Sequence, residues 1–314
     1  MLQQYASPTE PKYVEAFKPF ANEVESKSGG RIKIDIFMGQ EYAKARDFFD
    51  VVEGGGADIG WMPMSYATGR FPLSGIMQLP FATTTSADAT DTFMKLLKTG
   101  LLDGEFNTVK LLAADGSSPY EIFSVEKQIR TPADIKGLKF RVSGGLHVKI
   151  FETWGAVPVT VSGPELYTAL ATGVCDGTQI TFGSAPGYNL HEITEHMTQI
   201  DCSNSTHIAF MNLDTWNKLP PDLQKIVEEA GAEIAVNIAK VYDGQSDDAV
   251  SDYQEKGVKL YVPTEEEKEL WREPLVPIWE DWVSSMEKQG LPGQQVYDAF
   301  VKILEAKGIQ PLTK

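Results

Sequence analysis

Leu138-Lys139-Phe140-Arg141-Val142 is followed by Ser143-Gly144-Gly145. Then come Leu146 to Trp154 and Gly155-Ala156-Val157-Pro158-Val159. Phe140 and Val142 alternate with polar neighbours, which predicts a strand. The glycine pair opens a helix that buries Leu146, Ile150, Phe151 and Trp154, and a second strand begins after Gly155. Strand, helix and strand in this order are βαβ logic, and that calls for a mainly parallel sheet with helices on both faces. The logic continues downstream. Pro164 to Ala171 is predicted helical, and Val174-Cys175-Asp176-Gly177 leads into another strand.

Upstream, Tyr13, Phe17, Phe20, Ala21 and Val24 share one helix face, and Gly29-Gly30 ends that helix. Arg31 to Phe37 alternates with period two and predicts a strand. A short helix carries Phe48, Phe49 and Val52, and Ala57 to Met62 is the next buried strand. Val109 to Ala114 predicts a strand, and Ile129 to Gly137 a turn of helix closed by glycine. The last third is more helical. Pro220-Pro221 opens a long pattern through Leu223, Val227, Ile234, Ile238 and Val241. Lys259 to Val262 is a short strand, and Thr264 with Glu267 predicts a capping box. Pro274 and Pro277 must break or kink the helix that follows. The apolar face with Trp279 and Trp282 reads as core packing rather than a ligand box.

The chain has 314 residues, enough for two domains, and 42% of them are hydrophobic. No repeat and no low-complexity linker divides it, so the chain is expected to cross between the domains more than once. A cleft between such domains is a natural ligand site. The formal net charge of −16 works against nucleic-acid binding and against docking on anionic lipid. It does not oppose an anionic ligand, because one buried arginine dominates its own surroundings. No apolar run is long enough to span a membrane. Met1-Leu2-Gln3-Gln4-Tyr5-Ala6-Ser7-Pro8 lacks the basic start and apolar stretch of a secretory signal, which leaves a cytosolic protein or a mature or trimmed chain. Cys175 and Cys202 read as free thiols in preference to a bridge. There is no P-loop, no dinucleotide fingerprint and no nucleophile elbow. His191 and His196 are wrongly spaced for a zinc pair on one helix face. Neither a cofactor nor a metal is expected.

Arg130-Thr131-Pro132-Ala133-Asp134-Ile135-Lys136-Gly137-Leu138-Lys139-Phe140-Arg141-Val142 resembles a signature of the TRAP transporter solute-binding proteins, the DctP-like family. Trp154 to Val159 and Pro164 to Gly177 resemble that family's strand–helix–strand run. Gly29 to Ile34, Ala57 to Gly60 with Gly69 to Pro72, and Trp216 to Pro221 are similar to further family blocks. The resemblance implies an α/β protein, a two-domain periplasmic-binding-protein-like clamshell with crossing segments and a long bridging helix. It implies a periplasmic protein, its signal peptide removed, that captures a small carboxylated solute and delivers it to a TRAP permease. A monomer is expected, and a binding protein rather than an enzyme. The expected lobes are residues 1–124 plus 208–250 and residues 125–207 plus 251–314.

The resemblance also makes Arg141 the partner of the ligand carboxylate, a role its planar, permanently charged fork suits. Two departures shift the ligand class. Glu121 stands where acid-binding members often have a second arginine, and Ile180 where an asparagine often binds the carboxylate. Both turn the expectation from dicarboxylates and sugar acids toward a monocarboxylate or zwitterion. Gln179 or Thr181 would supply the lost contact. Trp61, Met64, Tyr66, Tyr120, Pro164 and Phe182 complete the candidate pocket. Glu121 leaves alternatives open. It would recognise a cationic amine, or point to solvent, or pair with Lys127 or Arg130. An enzyme on the same scaffold would have only Glu121 and His147 as bases.

Overall fold

The computed structural model describes residues 1–4 and 11–312, together with the backbone but not the side chain of Tyr13. The expected place of Tyr13 on its helix face, and that of Tyr5 to Pro8, therefore lies outside the described residues. Among the described residues eleven strands form two sheets: β1 (Leu2–Gln4), β2 (Ile36–Phe37), β3 (Ile59–Pro63), β4 (Val109–Gly116), β5 (Glu121–Ser124), β6 (Lys139–Val142), β7 (Val157–Thr160), β8 (Gly177–Ile180), β9 (His196–Thr198), β10 (Thr206–Asn212) and β11 (Lys259–Tyr261). The first sheet runs β2-β1-β3-β10-β4 and the second β11-β9-β5-β8-β6-β7.

Each sheet is mixed rather than mainly parallel. β10 is antiparallel to both β3 and β4, and β5 is antiparallel to both β8 and β9. The reason is the length of the crossings. Ser117–Tyr120 joins β4 to β5 and residues 199–205 join β9 to β10. A parallel connection needs a crossover of a dozen residues or more. These short crossings carry the chain from one sheet to the other instead. Glu121–Ser124 belongs to the second sheet through the pair Glu121–Ile180, and Thr206–His207 to the first. The C-terminal helix Gly293–Glu305 packs on the helix Ser86–Leu97 beside the first sheet, and Lys307 bonds Asp88 there.

Most local expectations hold for stated reasons. The Thr264–Glu267 capping box forms, and so does a second between Thr131 and Asp134. The helix ends at Arg272, one residue before Glu273-Pro274. A new one starts at Val276 with Pro277 in its first turn. Trp271, Trp279 and Trp282 are core, and the Trp279 indole donates to the Pro80 carbonyl at 3.0 Å. The strand expected over Arg31–Phe37 pairs only at Ile36–Phe37. Ile32 and Ile34 are half-buried beside the core, while Arg31 turns back to the Ser28 carbonyl and pairs with Asp222. Cys175 and Cys202 are buried free thiols.

The helix Pro221–Glu255 has 35 residues, about 50 Å at the usual rise. Near its start it packs against β4, where Gly231 lies against Leu112. Further along it packs against the turn Phe182–Tyr188 of the second lobe. One rigid element thus touches both lobes. No described helix is long and apolar enough to cross a membrane.

Candidate functional site: a closed cavity around Arg141

β6 alternates Phe140, Arg141 and Val142, all buried. The strand sends Phe140 into the core and leaves Arg141 on the face that meets the other lobe. Arg141 is 4% exposed. Its Nε donates to the Val161 carbonyl at 2.8 Å and its Nη1 to the Gln179 carbonyl at 3.4 Å. Both partners are neutral carbonyls. Among the described residues no carboxylate lies within ion-pair distance of the guanidinium. A buried charge without a counter-charge is costly unless something compensates it.

Arg141 lines a narrow cavity, with about 30 Å³ open to the centres of water-sized groups. Pro63 and Tyr66 come from the first lobe and Tyr242 from the long helix. Tyr120 comes from a crossing segment. Ser143, Gly163, Leu166, Ile180, Thr181, Ser184 and Tyr188 come from the second lobe. The lobes meet here. The Gly163 amide donates to Tyr66 Oη at 2.6 Å, and the Leu146 amide donates to Gln78 Oε1 at 3.0 Å. Gly145 has φ +63, and an added Cβ would collide with Gln78, so glycine is required where the lobes touch. Burial pushes the Tyr120 phenol up, with Arg141 opposing, so it stays a neutral donor.

Of the residues singled out in the sequence, Arg141, Tyr66, Tyr120 and Thr181 meet at this cavity, with Ile180 beside them. The others do not. Trp61 is in the core of the first sheet, its indole donating to Asp115 at 3.1 Å and its ring stacked on His207. Met64 lines a separate groove that runs to Trp282. Pro164 follows the lining residue Gly163 without lining the cavity itself. Gln179 contributes its carbonyl to Arg141, but its Nε2 has no hydrogen-bond partner among the described residues. Phe182 packs edge-on to Phe123.

Glu121 is buried, but its carboxyl accepts from the Ile200 and Asp201 amides of the other crossing at 2.6 and 3.1 Å. It lines a different groove, with Asp201 and Asp243. Burial and Asp201 push its pKa well up. It does not pair with Lys127 or Arg130. Lys127 bonds Asp134, and Arg130 lies over the Tyr261 ring. His147, the other candidate base, lies near Ser143 Oγ and the Gly144 carbonyl through Nδ1, and near the Asn204 carbonyl through Nε2. Burial lowers its pKa to about 4.

Sequence reasoning missed Pro63, Ser143, Gly163, Leu166, Ser184, Tyr188 and Tyr242. Tyr242 follows Ile238 at helical spacing and so reads as core. Only the crossing of the long helix over the cavity reveals it.

Two α/β lobes, short crossings and a buried cation in the cavity between them define a solute-binding protein of the clamshell class. The chain belongs to the DctP family, the bacterial extracellular solute-binding proteins of family 7, whose model matches residues 2–286. Its fold is similar to that of a TRAP solute-binding protein from Rhodoferax ferrireducens, solved with copurified benzoate. That likeness has a TM-score of 0.92 at 23% identity over 98% of this chain and 97% of the other. A TRAP periplasmic solute-binding protein from Bordetella bronchiseptica with bound (R)- and (S)-mandelate has a TM-score of 0.89 at 24% identity, over 98% of each chain. The 2,3-diketo-L-gulonate-binding periplasmic protein of Escherichia coli is 22% identical over 94% of this chain and 85% of its own.

Proposed function

We propose that this protein works in the periplasm as a monomer that captures a small monocarboxylate, with a flat aromatic acid as the best fit, and passes it to a TRAP permease. The buried guanidinium of Arg141, with no carboxylate partner among the described residues, carries the reading. A ligand carboxylate would supply the missing charge in bidentate geometry. The rest of the cavity suits a ring. Four tyrosines, Tyr66, Tyr120, Tyr188 and Tyr242, surround it with Pro63, Leu166 and Ile180. Aromatic faces favour stacked and edge-on partners. With so little open volume, a ligand enters only when the lobes part. Contacts from both lobes then favour the closed state. The relatives with benzoate and mandelate are in keeping with this ligand class.

The test is a thermal-shift and calorimetric screen of aromatic and aliphatic monocarboxylates, dicarboxylates, uronates and amines. Saturation at about a hundred times the dissociation constant adds about 2.7 kcal/mol of stability. Aromatic monocarboxylates should give the largest shifts. Shifts from amines alone would overturn the reading.

A further inference from the structure

We propose that the groove beside the crossing segments is a second binding site, for a linear organic cation with two or more ammonium groups, such as a polyamine. The groove holds about 460 Å³ and shares no lining residue with the cavity around Arg141. Glu121 and Asp201 line it at the crossings, and Asp243 and Asp247 line it from the long helix. No lysine, arginine or histidine does so among the described residues. Asp243 and Asp247 are one helical turn apart and so share a face.

Acidic charge alone would suit a solvated surface. Ser118 is what points to a ligand. It lines the same groove and is 7% exposed, and its Oγ has no hydrogen-bond partner among the described residues. A buried hydroxyl left unpaired is costly, and an ammonium in the groove would donate to it. The carboxylates fix the sign of the ligand. Asp201 adds to burial in pushing the Glu121 carboxyl well up, which marks a place short of positive charge. The Asp243 carboxylate already accepts from the Ser86 and Ala87 amides at 2.7 and 2.8 Å. The Asp247 carboxylate, exposed one turn further on, has no partner among the described residues. The spread of these acids fixes the ligand's shape. No three acidic, histidine or cysteine groups converge as metal ligands among the described residues. A single ion cannot serve acids strung along a groove. One ammonium between Ser118 and Asp201 and another at Asp247 do.

Calorimetry at fixed ionic strength with spermidine, putrescine and butylamine tests this on wild type, Asp201→Asn, Asp247→Asn and Ser118→Ala. Glu266→Gln serves as control, because it removes an exposed charge outside the groove. Spermidine and putrescine should bind wild type at one site, at least about fivefold more tightly than butylamine, which reaches one carboxylate only. Asp201→Asn and Ser118→Ala should each weaken spermidine by about tenfold. Asp247→Asn should weaken it by about threefold, since its carboxylate is exposed. Glu266→Gln should match wild type. Neither magnesium at equal charge nor saturating benzoate should displace spermidine. Circular dichroism checks that each variant is folded, and if Asp201→Asn is not, the other two groove variants decide. Absence of spermidine binding overturns the inference, and so does binding unchanged in the groove variants. Displacement by magnesium overturns it as well, because it would mean diffuse attraction to a chain of net charge −16. Displacement by benzoate would put the amine in the Arg141 cavity and overturn it too. Failure of every carboxylate to bind removes the proposed function, while the groove variants still decide this site.

Discussion

The amide of Gly163 donates to the phenol oxygen of Tyr66 at 2.6 Å, joining the two lobes directly over the cavity that holds Arg141. Tyr66 sits in the turn Met64–Tyr66 after β3, and Gly163 in the turn before the helix Leu166–Ala171. The bond exists only when the lobes are together, so it stabilises the closed state and not the fold of either lobe. Tyr66→Phe removes it at nearly constant volume. The expected result is a loss of about threefold to tenfold in ligand affinity, mostly as faster release, with little change in the melting temperature of the free protein. Stopped-flow release rates check this. An unchanged off-rate would mean that the bond is not part of closure.

Gly163 matters for a second reason. An added Cβ would stand 2.7 Å from Tyr188 Oη and 3.4 Å from Tyr66 Oη. Its backbone is not in the left-handed region, so alanine is tolerated by the chain and resisted only by the closed cavity. Gly163→Ala should weaken binding by about 1–3 kcal/mol, the usual cost of overpacking a tight site. Restoring space with the double variant Gly163→Ala, Tyr188→Phe should recover part of the affinity. Calorimetry of the two variants shows whether the loss is steric.

Arg141 has two tasks that substitutions separate. It ties down the carbonyls of Val161 and Gln179, and it presents charge to the cavity. Arg141→Ala should lose about a hundredfold or more in carboxylate affinity, since a buried charged contact carries 2–5 kcal/mol. Arg141→Lys keeps the charge but not the planar fork. It should fall between the two, as a point charge in place of a bidentate partner. An affinity for aromatic acids that survives Arg141→Ala would move the carboxylate site elsewhere.

How much of this was legible in the sequence depends on distance along the chain. The unit from Leu138 to Val159 shows its strands and helix because their signals are local: alternation, a glycine pair and an apolar face. The position of Arg141 in the cleft came from the resemblance, and nothing in its four-residue strand marks it. The mixed sheets were not legible. The direction of β5 and β10 is set by pairing with strands far away in sequence, and a strand's own pattern is the same in either direction. Glu121 shows the limit most clearly. Its position suggested a ligand contact, but the chain reverses at Asp201, which has φ +50, and brings two amides onto the carboxyl.

Two buried titratable groups that contact the second crossing segment, His147 at Asn204 and Glu121 at Ile200 and Asp201, have effects on stability of opposite signs. His147 has its pKa lowered by burial from 6.5 to about 4. The unfolded chain therefore takes up this proton first, and stability is lost as pH falls from about 6.5 toward 4, by about 3 kcal/mol at most. Glu121 is raised above its usual 4.5 by burial and by Asp201. The folded state holds that proton longer, so its contribution is present at low pH and lost as pH rises through the folded value. Glu121→Gln keeps an oxygen for the Ile200 and Asp201 amides without the charge. It should stabilise the protein more near pH 8 than near pH 5, with carboxylate affinity unchanged because Glu121 does not line the cavity. His147→Asn should flatten the acid side of the stability profile at the expense of stability near neutrality. Urea unfolding of the three proteins across this range reads both slopes. A Glu121→Gln gain that is the same at both ends would mean that the carboxyl does not titrate in the folded state over this range.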